Sequence, residues 1–204
     1  MNAKKILALA LAALMLLSLA ACGQSADPIA TEAPAEPTEA PVEATEAPAE
    51  DTSVTVTDMT GREITLEEPA TRIVALTASD CEIICALGGM DLLVGRGTYC
   101  DYPAEVQEIP SVQSGYETNI EQIIALEPQV LLMSTMAQTE EQIKALEDAG
   151  VHVVVSDAQD IEGTYTAINM IGTLTGRQAE AASIVESMQK TFDEIKANAG
   201  DGTK

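Results

Sequence analysis

The stretch GRGTYCDYP, residues 95–103, packs several kinds of chemistry into nine positions. Gly95 and Gly97 resemble the start of a phosphate loop. Cys100 beside Asp101 offers a soft and a hard metal ligand. Tyr99 and Tyr102, closed by Pro103, offer two flat faces with polar tips on a stiff edge. A dinucleotide fingerprint needs a third glycine and a following helix N-terminus. Here the third position is Cys100, and Pro103 disfavours helix at the residue before it. Metal binding lacks partners, since His152 is the one histidine in the chain and no C-x-x-C spacing occurs. Cys81 and Cys85 could join Cys100 only if their helix met this loop. Nucleophilic catalysis lacks both a G-x-S-x-G elbow and a second histidine to act as base, so an enzyme is not expected. Gripping a ligand by aromatic faces remains. The chain has four tyrosines, one phenylalanine and no tryptophan. Tyr99, Tyr102 and Tyr116 fall close together in segments of loop character, which favours a broad, planar or ring-bearing ligand over a bare ion.

These residues need elements to hold them. Residues 54–66, VTVTDMTGREITL, alternate and turn at an Asp-x-x-Gly, which predicts a β-hairpin. Short apolar runs at 72–76, 91–95, 129–134 and 151–156 predict buried strands. Helical patterns lie between and after them, at 78–89, 118–126, 139–150, 161–176 and 177–200. Ser79 is the expected cap of the first, and Thr118 or Asn119 of the second. Strands alternating with helices predict an α/β fold: a parallel sheet flanked by helices on both faces. Ligands of such sheets sit at the carboxyl ends of the strands. Those ends lead into TASD (77–80), GRGTYCDYP (95–103), STMAQ (134–138) and SDAQD (156–160). Ser79, in the first of these, is therefore also a candidate ligand contact.

The amino-terminal part reads differently. Lys4 and Lys5 precede the apolar run Ile6–Leu17, too short for a comfortable membrane span, so 1–21 reads as a secretory signal. Leu19-Ala20-Ala21-Cys22 resembles the bacterial lipobox, which makes Cys22 the expected lipidation site and the membrane anchor. Residues 22–53 then repeat TEAP at 31–34, 38–41 and 45–48. Proline in every block excludes a helical seam, and a Glu/Ala/Thr/Pro mixture cannot bury a core, so this segment reads as a disordered spacer. The folding part is 54–204. Cys81, Cys85 and Cys100 remain there and are read as buried thiols, because two cysteines in one helical turn make poor disulfide geometry. Acids outnumber bases 33 to 10, for a net charge of −23, which argues against nucleic acid as a partner.

The order VTVTDMTGREITL, RIVAL, LVGRGTYCDYP, NIEQIIALEPQVLL, EEQIKALEDAGVHVVV and AINMIGTLTGR resembles the substrate-binding lipoproteins of ABC importers for cobalamin and ferric siderophores. YCDYP is similar to the cleft motif of the cobalamin and corrinoid branch. The resemblance implies two Rossmann-like α/β lobes flanking a ligand cleft and bridged by a long helix, with no cofactor. This chain would be the N-terminal lobe with its long C-terminal bridging helix, the second lobe missing, either as a piece of a longer protein or as a half-receptor. Tyr99, Cys100, Asp101, Tyr102 and Pro103 would line the cleft, with Tyr116 beside it. Glu121 would be the surface glutamate that docks on the permease. From the residues alone, Glu121 is simply an acid in a first helical turn, favoured by the helix dipole. The implied partners are a corrinoid or metal-chelate small molecule and an ABC permease, at the extracytoplasmic face of the cell membrane. Two other readings compete: a surface lipoprotein that binds a protein, and a nucleotide-using α/β enzyme.

Overall fold

The structure, a computed structural model, describes residues 52–199 except 116 and 136–138. Cys22, Tyr116, the signal and most of the spacer lie outside the described residues. The chain opens with an antiparallel hairpin of β1 (Val54–Thr57) and β2 (Glu63–Leu66), with Val54 opposite Leu66 and Thr57 opposite Glu63. Asp58 builds its turn. One carboxylate oxygen accepts from the backbone N–H of Thr60 (2.9 Å), the Thr60 hydroxyl (2.7 Å) and the N–H of Arg62 (3.0 Å). Gly61 takes the left-handed φ of +88° that such a turn asks of glycine.

A five-stranded parallel sheet follows: β3 (Ile73–Ala75), β4 (Leu93–Gly97), β5 (Ser111–Val112), β6 (Val130–Met133) and β7 (His152–Val155), in the spatial order β5-β4-β3-β6-β7. The helices are α1 (Ala78–Ala86), α2 (Ile120–Ala125), α3 (Glu140–Asp148), α4 (Ile161–Leu174) and α5 (Gln178–Ala199). Alternate strand residues feed two cores, as a sheet covered on both faces requires. Ile73, Ala75, Leu132 and Val154 join Ile84 of α1 and Ile168 and Ile171 of α4. Val74, Leu131, Met133 and Val153 join Ile123 of α2 and Leu146 of α3. The long helix α5 packs along α4, where a Cβ on Gly172 would come within 2.5 Å of the Ala181 methyl.

The expected α/β architecture is present, with local corrections. The cap of α1 is Thr77, whose hydroxyl accepts from the Asp80 N–H, and not Ser79, which lies in the first turn. Both Thr and Ser cap helices, Ser somewhat better, so TASD did not decide the choice in favour of Thr77. Asn119 caps α2 by accepting from the Gln122 N–H at 3.0 Å. The second strand runs 93–97, two residues later than its apolar run, because Met90–Leu92 wind into a 3₁₀ turn. The edge strand β5 and a 3₁₀ helix at Ala104–Glu108 were not foreseen, being too short to show a period. Among the described residues no helix is long and apolar enough to cross a membrane.

Candidate functional site

The chain runs from β3 outward to β4 and β5, then crosses back to β6 and β7 on the other side of β3. The carboxyl ends of β3 and β6 therefore flank a switch point, the place where open α/β sheets leave a crevice. The expected ligand loops all leave this edge. His152 does not: it stands exposed as the first residue of β7, at the opposite edge.

The loop after β4 carries the aromatic residues. Tyr99 and Tyr102 are 74% and 66% exposed, so neither ring is used to fill the core. Between them Cys100 turns inward and is fully buried. It belongs to the core and not to a ligand surface, which corrects its expected place in the cleft. The pattern has a local cause. The Cys100 N–H donates to the Gly97 carbonyl (3.1 Å), a tight turn that sends the residues on either side outward. Asp101 is exposed with the tyrosines, and Pro103 is half-buried after a cis Tyr102–Pro103 peptide, capping the 3₁₀ helix. The Tyr99 ring stands over Gly115, where an added Cβ would lie 3.7 Å from its edge.

Residues that sequence reasoning passed over hold this loop. Arg96 donates to the carbonyls of Cys100 (3.0 Å), Gly97 (3.3 Å) and Gln107 (3.3 Å). Gln107 donates to the Asp101 carbonyl at 3.2 Å. Thr98 is tied at both ends: its N–H donates to the Ser114 hydroxyl and its own hydroxyl to the Val112 carbonyl, each at 3.1 Å. An arginine inside an apolar strand was the available signal, since a half-buried guanidinium looks for carbonyl acceptors; the Nη groups find three and, among the described residues, Nε none. Gly97 is fixed by packing: a Cβ there would fall 2.1 Å from the Leu76 carbonyl oxygen. Gly95 serves packing under the end of α2, where a Cβ would meet the Leu126 side chain at 2.6 Å, so both glycines of the apparent phosphate loop are explained by packing.

The helix of Cys81 does meet this loop. The Cys81 and Cys100 thiols both approach the Ala75 carbonyl, at 3.7 and 3.8 Å. Their mutual hydrogen bond, then burial, holds Cys81 well above the usual thiol range, while Cys100 is lowered by that same bond. Cys85 is only half-buried, so the expectation of buried thiols holds for Cys81 and Cys100 alone. Among the described residues no cluster of three metal-ligating side chains forms.

Ser79 is exposed on the other side of the switch point. It lines a cavity of about 180 Å³ with Thr77, Ser134, Ser156, Asp157 and Thr164. Behind that wall lies Asp80, wholly buried. Burial pushes its carboxyl up to about 6, the side chains of Thr77 and Ser156 pull it back, and the charge of Asp157 raises it further. A larger depression of about 580 Å³ lies between the hairpin and α3; most of its charges are engaged in the pairs Arg62–Glu147 (3.1 Å) and Lys144–Asp148 (2.7 Å), with Glu140 also on its wall. Glu121 is exposed in the first turn of α2, the end that follows β5 from the same carboxyl edge.

The profile described as "Periplasmic binding protein" matches residues 73–204. An uncharacterized ABC transporter substrate-binding lipoprotein of Bacillus subtilis (strain 168), YvrC, is 34% identical over 94% of this chain and 57% of its own. A vitamin B12-binding protein of Salmonella paratyphi A is 27% identical over 62% of this chain and 47% of its own. Among solved structures, a periplasmic heme binding protein from Pseudomonas aeruginosa superposes with a TM-score of 0.60 at 26% identity, covering 63% of this chain and 46% of the other. The chain thus spans about half the length of the relatives it matches.

Proposed function

The chain belongs to the periplasmic binding protein family, and from that premise we propose that it is the solute-binding lipoprotein of an ABC importer. In this reading it captures a cobalamin, corrinoid or ferric-siderophore-type ligand outside the cell and delivers it to the permease. It performs no covalent chemistry. Cys22 carries the lipid anchor, and the TEAP spacer holds the binding lobe off the membrane. Tyr99, Asp101, Tyr102 and Pro103 form the gripping edge, with Tyr116 and Ser79 beside it, and Glu121 docks on the permease.

The observation that carries this reading is the braced aromatic loop. Two tyrosines are held far out in solvent by a scaffold in which Arg96 and Gln107 donate to backbone carbonyls of the loop. Such rings stabilise the lobe only when something covers them, and a planar macrocycle fits two adjacent flat faces. Tyr99→Ala is expected to weaken binding of a corrinoid or haem about tenfold or more, near 1.4 kcal/mol, by calorimetry. Tyr99→Phe should retain most of the affinity. Unchanged affinity in the alanine variant would remove the aromatic grip from the mechanism.

A further inference from the structure

The cavity at the switch point has a chemical character of its own. Its polar lining is Thr77, Ser79, Ser134, Ser156, Asp157 and Thr164, and none of the lining residues is basic. The Thr77 hydroxyl is used up within the wall: it donates to Asp80 Oδ2 at 2.5 Å, accepts from the Asp80 N–H at 3.2 Å and lies 3.1 Å from the Ser79 hydroxyl, so the acceptor facing the cavity is Asp157. Asp157 is held in place, one carboxylate oxygen accepting from the Thr135 hydroxyl and the other from Gln159 Nε2 at 3.0 Å. Directly behind the wall, Asp80 is fully buried, and its Oδ1 has no hydrogen-bond partner. Buried acceptors of this kind are normally satisfied, and the groups bonded to or facing this carboxyl, Thr77 and Ser156, themselves line the cavity. At about 180 Å³ the space is too small for a whole ligand, which takes roughly 300 Å³ or more, but it admits one arm of a larger one. The aromatic loop leaves β4, the strand next to β3, so a ligand resting on Tyr99 would have this cavity at the neighbouring strand end.

We propose that this cavity is a subsite that receives an N–H-donating arm of the ligand, a primary amide or an ammonium group, and rejects a carboxylate. It rests on the solute-binding reading and narrows it. A macrocycle edged with amides suits the site, and one edged with carboxylates does not, because a carboxylate arm would face Asp157 with no cation to offset the repulsion.

Two experiments on the full chain test the subsite separately from the ligand class. The first titrates ¹⁵N-labelled protein with methylammonium, acetamide and acetate. The two donors should give saturable shifts at the Ser79, Ser134, Ser156 and Asp157 amides, and acetate should give none. Asp157→Ala should abolish the methylammonium response, and Asp157→Asn, which retains an acceptor for Thr135, should weaken it. No saturable response to either donor, or an equal response to acetate, overturns the subsite. The second compares an amide-bearing corrinoid with its carboxylate counterpart by calorimetry. The amide form should bind at least tenfold more tightly, and Asp157→Ala should narrow that ratio. Equal binding of the two overturns the proposal. If the donor probes bind and neither macrocycle does, the corrinoid reading falls and the subsite stands.

Discussion

Asp80 is a carboxyl sealed from solvent, with a negative neighbour in Asp157. Its folded pKa of about 6 lies above the 3.8 of an open chain, so the fold prefers the protonated form. The stability this contributes is complete below pH 3.8 and is lost as pH rises through about 6, a change on the order of 3 kcal/mol. Asp58 acts in the opposite sense. Burial pushes it up, but hydrogen bonds from Thr60 and from the Arg62 backbone and side chain together hold it below its usual range. Its contribution is present above pH 3.8 and fades as pH falls below that value. Urea unfolding at pH 4.5 and 7.5 separates the two. Wild type should lose stability toward pH 7.5, and Asp80→Asn should lose little. Parallel slopes in the two proteins would place the titration elsewhere. None of this was legible in TASD, because an acid in a first helical turn is equally at home in solvent facing the helix dipole. Only the packing of α1 against the sheet decides that Asp80 is sealed while Ser79 is exposed.

At the scale of elements, the loop 97–107 is a rigid shelf rather than a free connection. Arg96 spans it with three carbonyl contacts, which lysine cannot reproduce because it lacks the planar fork. Arg96→Lys should speed hydrogen exchange at residues 98–103 and weaken ligand binding several-fold, with little change at α4. Unaltered exchange in the loop would mean that Thr98 and Gln107 suffice. Gly97→Ala should cost about 2 kcal/mol or more in urea unfolding, because the obstacle is the Leu76 backbone and not a side chain that can swing away. A variant of wild-type stability would show that β3 and β4 can separate. The helices and four of the five sheet strands were legible from apolar runs and periodicity, but the two-residue edge strand β5 and the capping box at Thr139–Gln142 were not read. The shelf was legible only in part. Its tyrosines stood out in a chain poor in aromatic residues, but the inward turn of Cys100 follows from one backbone hydrogen bond that no periodicity encodes.

At the scale of the molecule, the strand order puts unrelated segments on one edge. The aromatic shelf, the acceptor-lined cavity and the head of α2 all sit at or beside strand carboxyl ends, although they are far apart in sequence. On the proposed function, ligand grip and permease docking would both fall at this one edge. Glu121 is exposed, and Asn119 and Gln122 complete the helix start without it: Asn119 accepts from the Gln122 N–H, and the Gln122 side chain accepts from the Gln113 N–H at 3.0 Å. Removing its charge should therefore leave the fold and the ligand grip intact. In the proposed docking, the acids of a chain carrying a net charge of −23 would attract a basic partner at a distance, and that attraction weakens with salt. Glu121→Ala is expected to keep wild-type ligand affinity in solution and to lower uptake in a reconstituted importer several-fold, with a weaker salt dependence than wild type. Loss of ligand affinity would instead move Glu121 into the cleft. Undiminished uptake would assign docking to other acids on this edge.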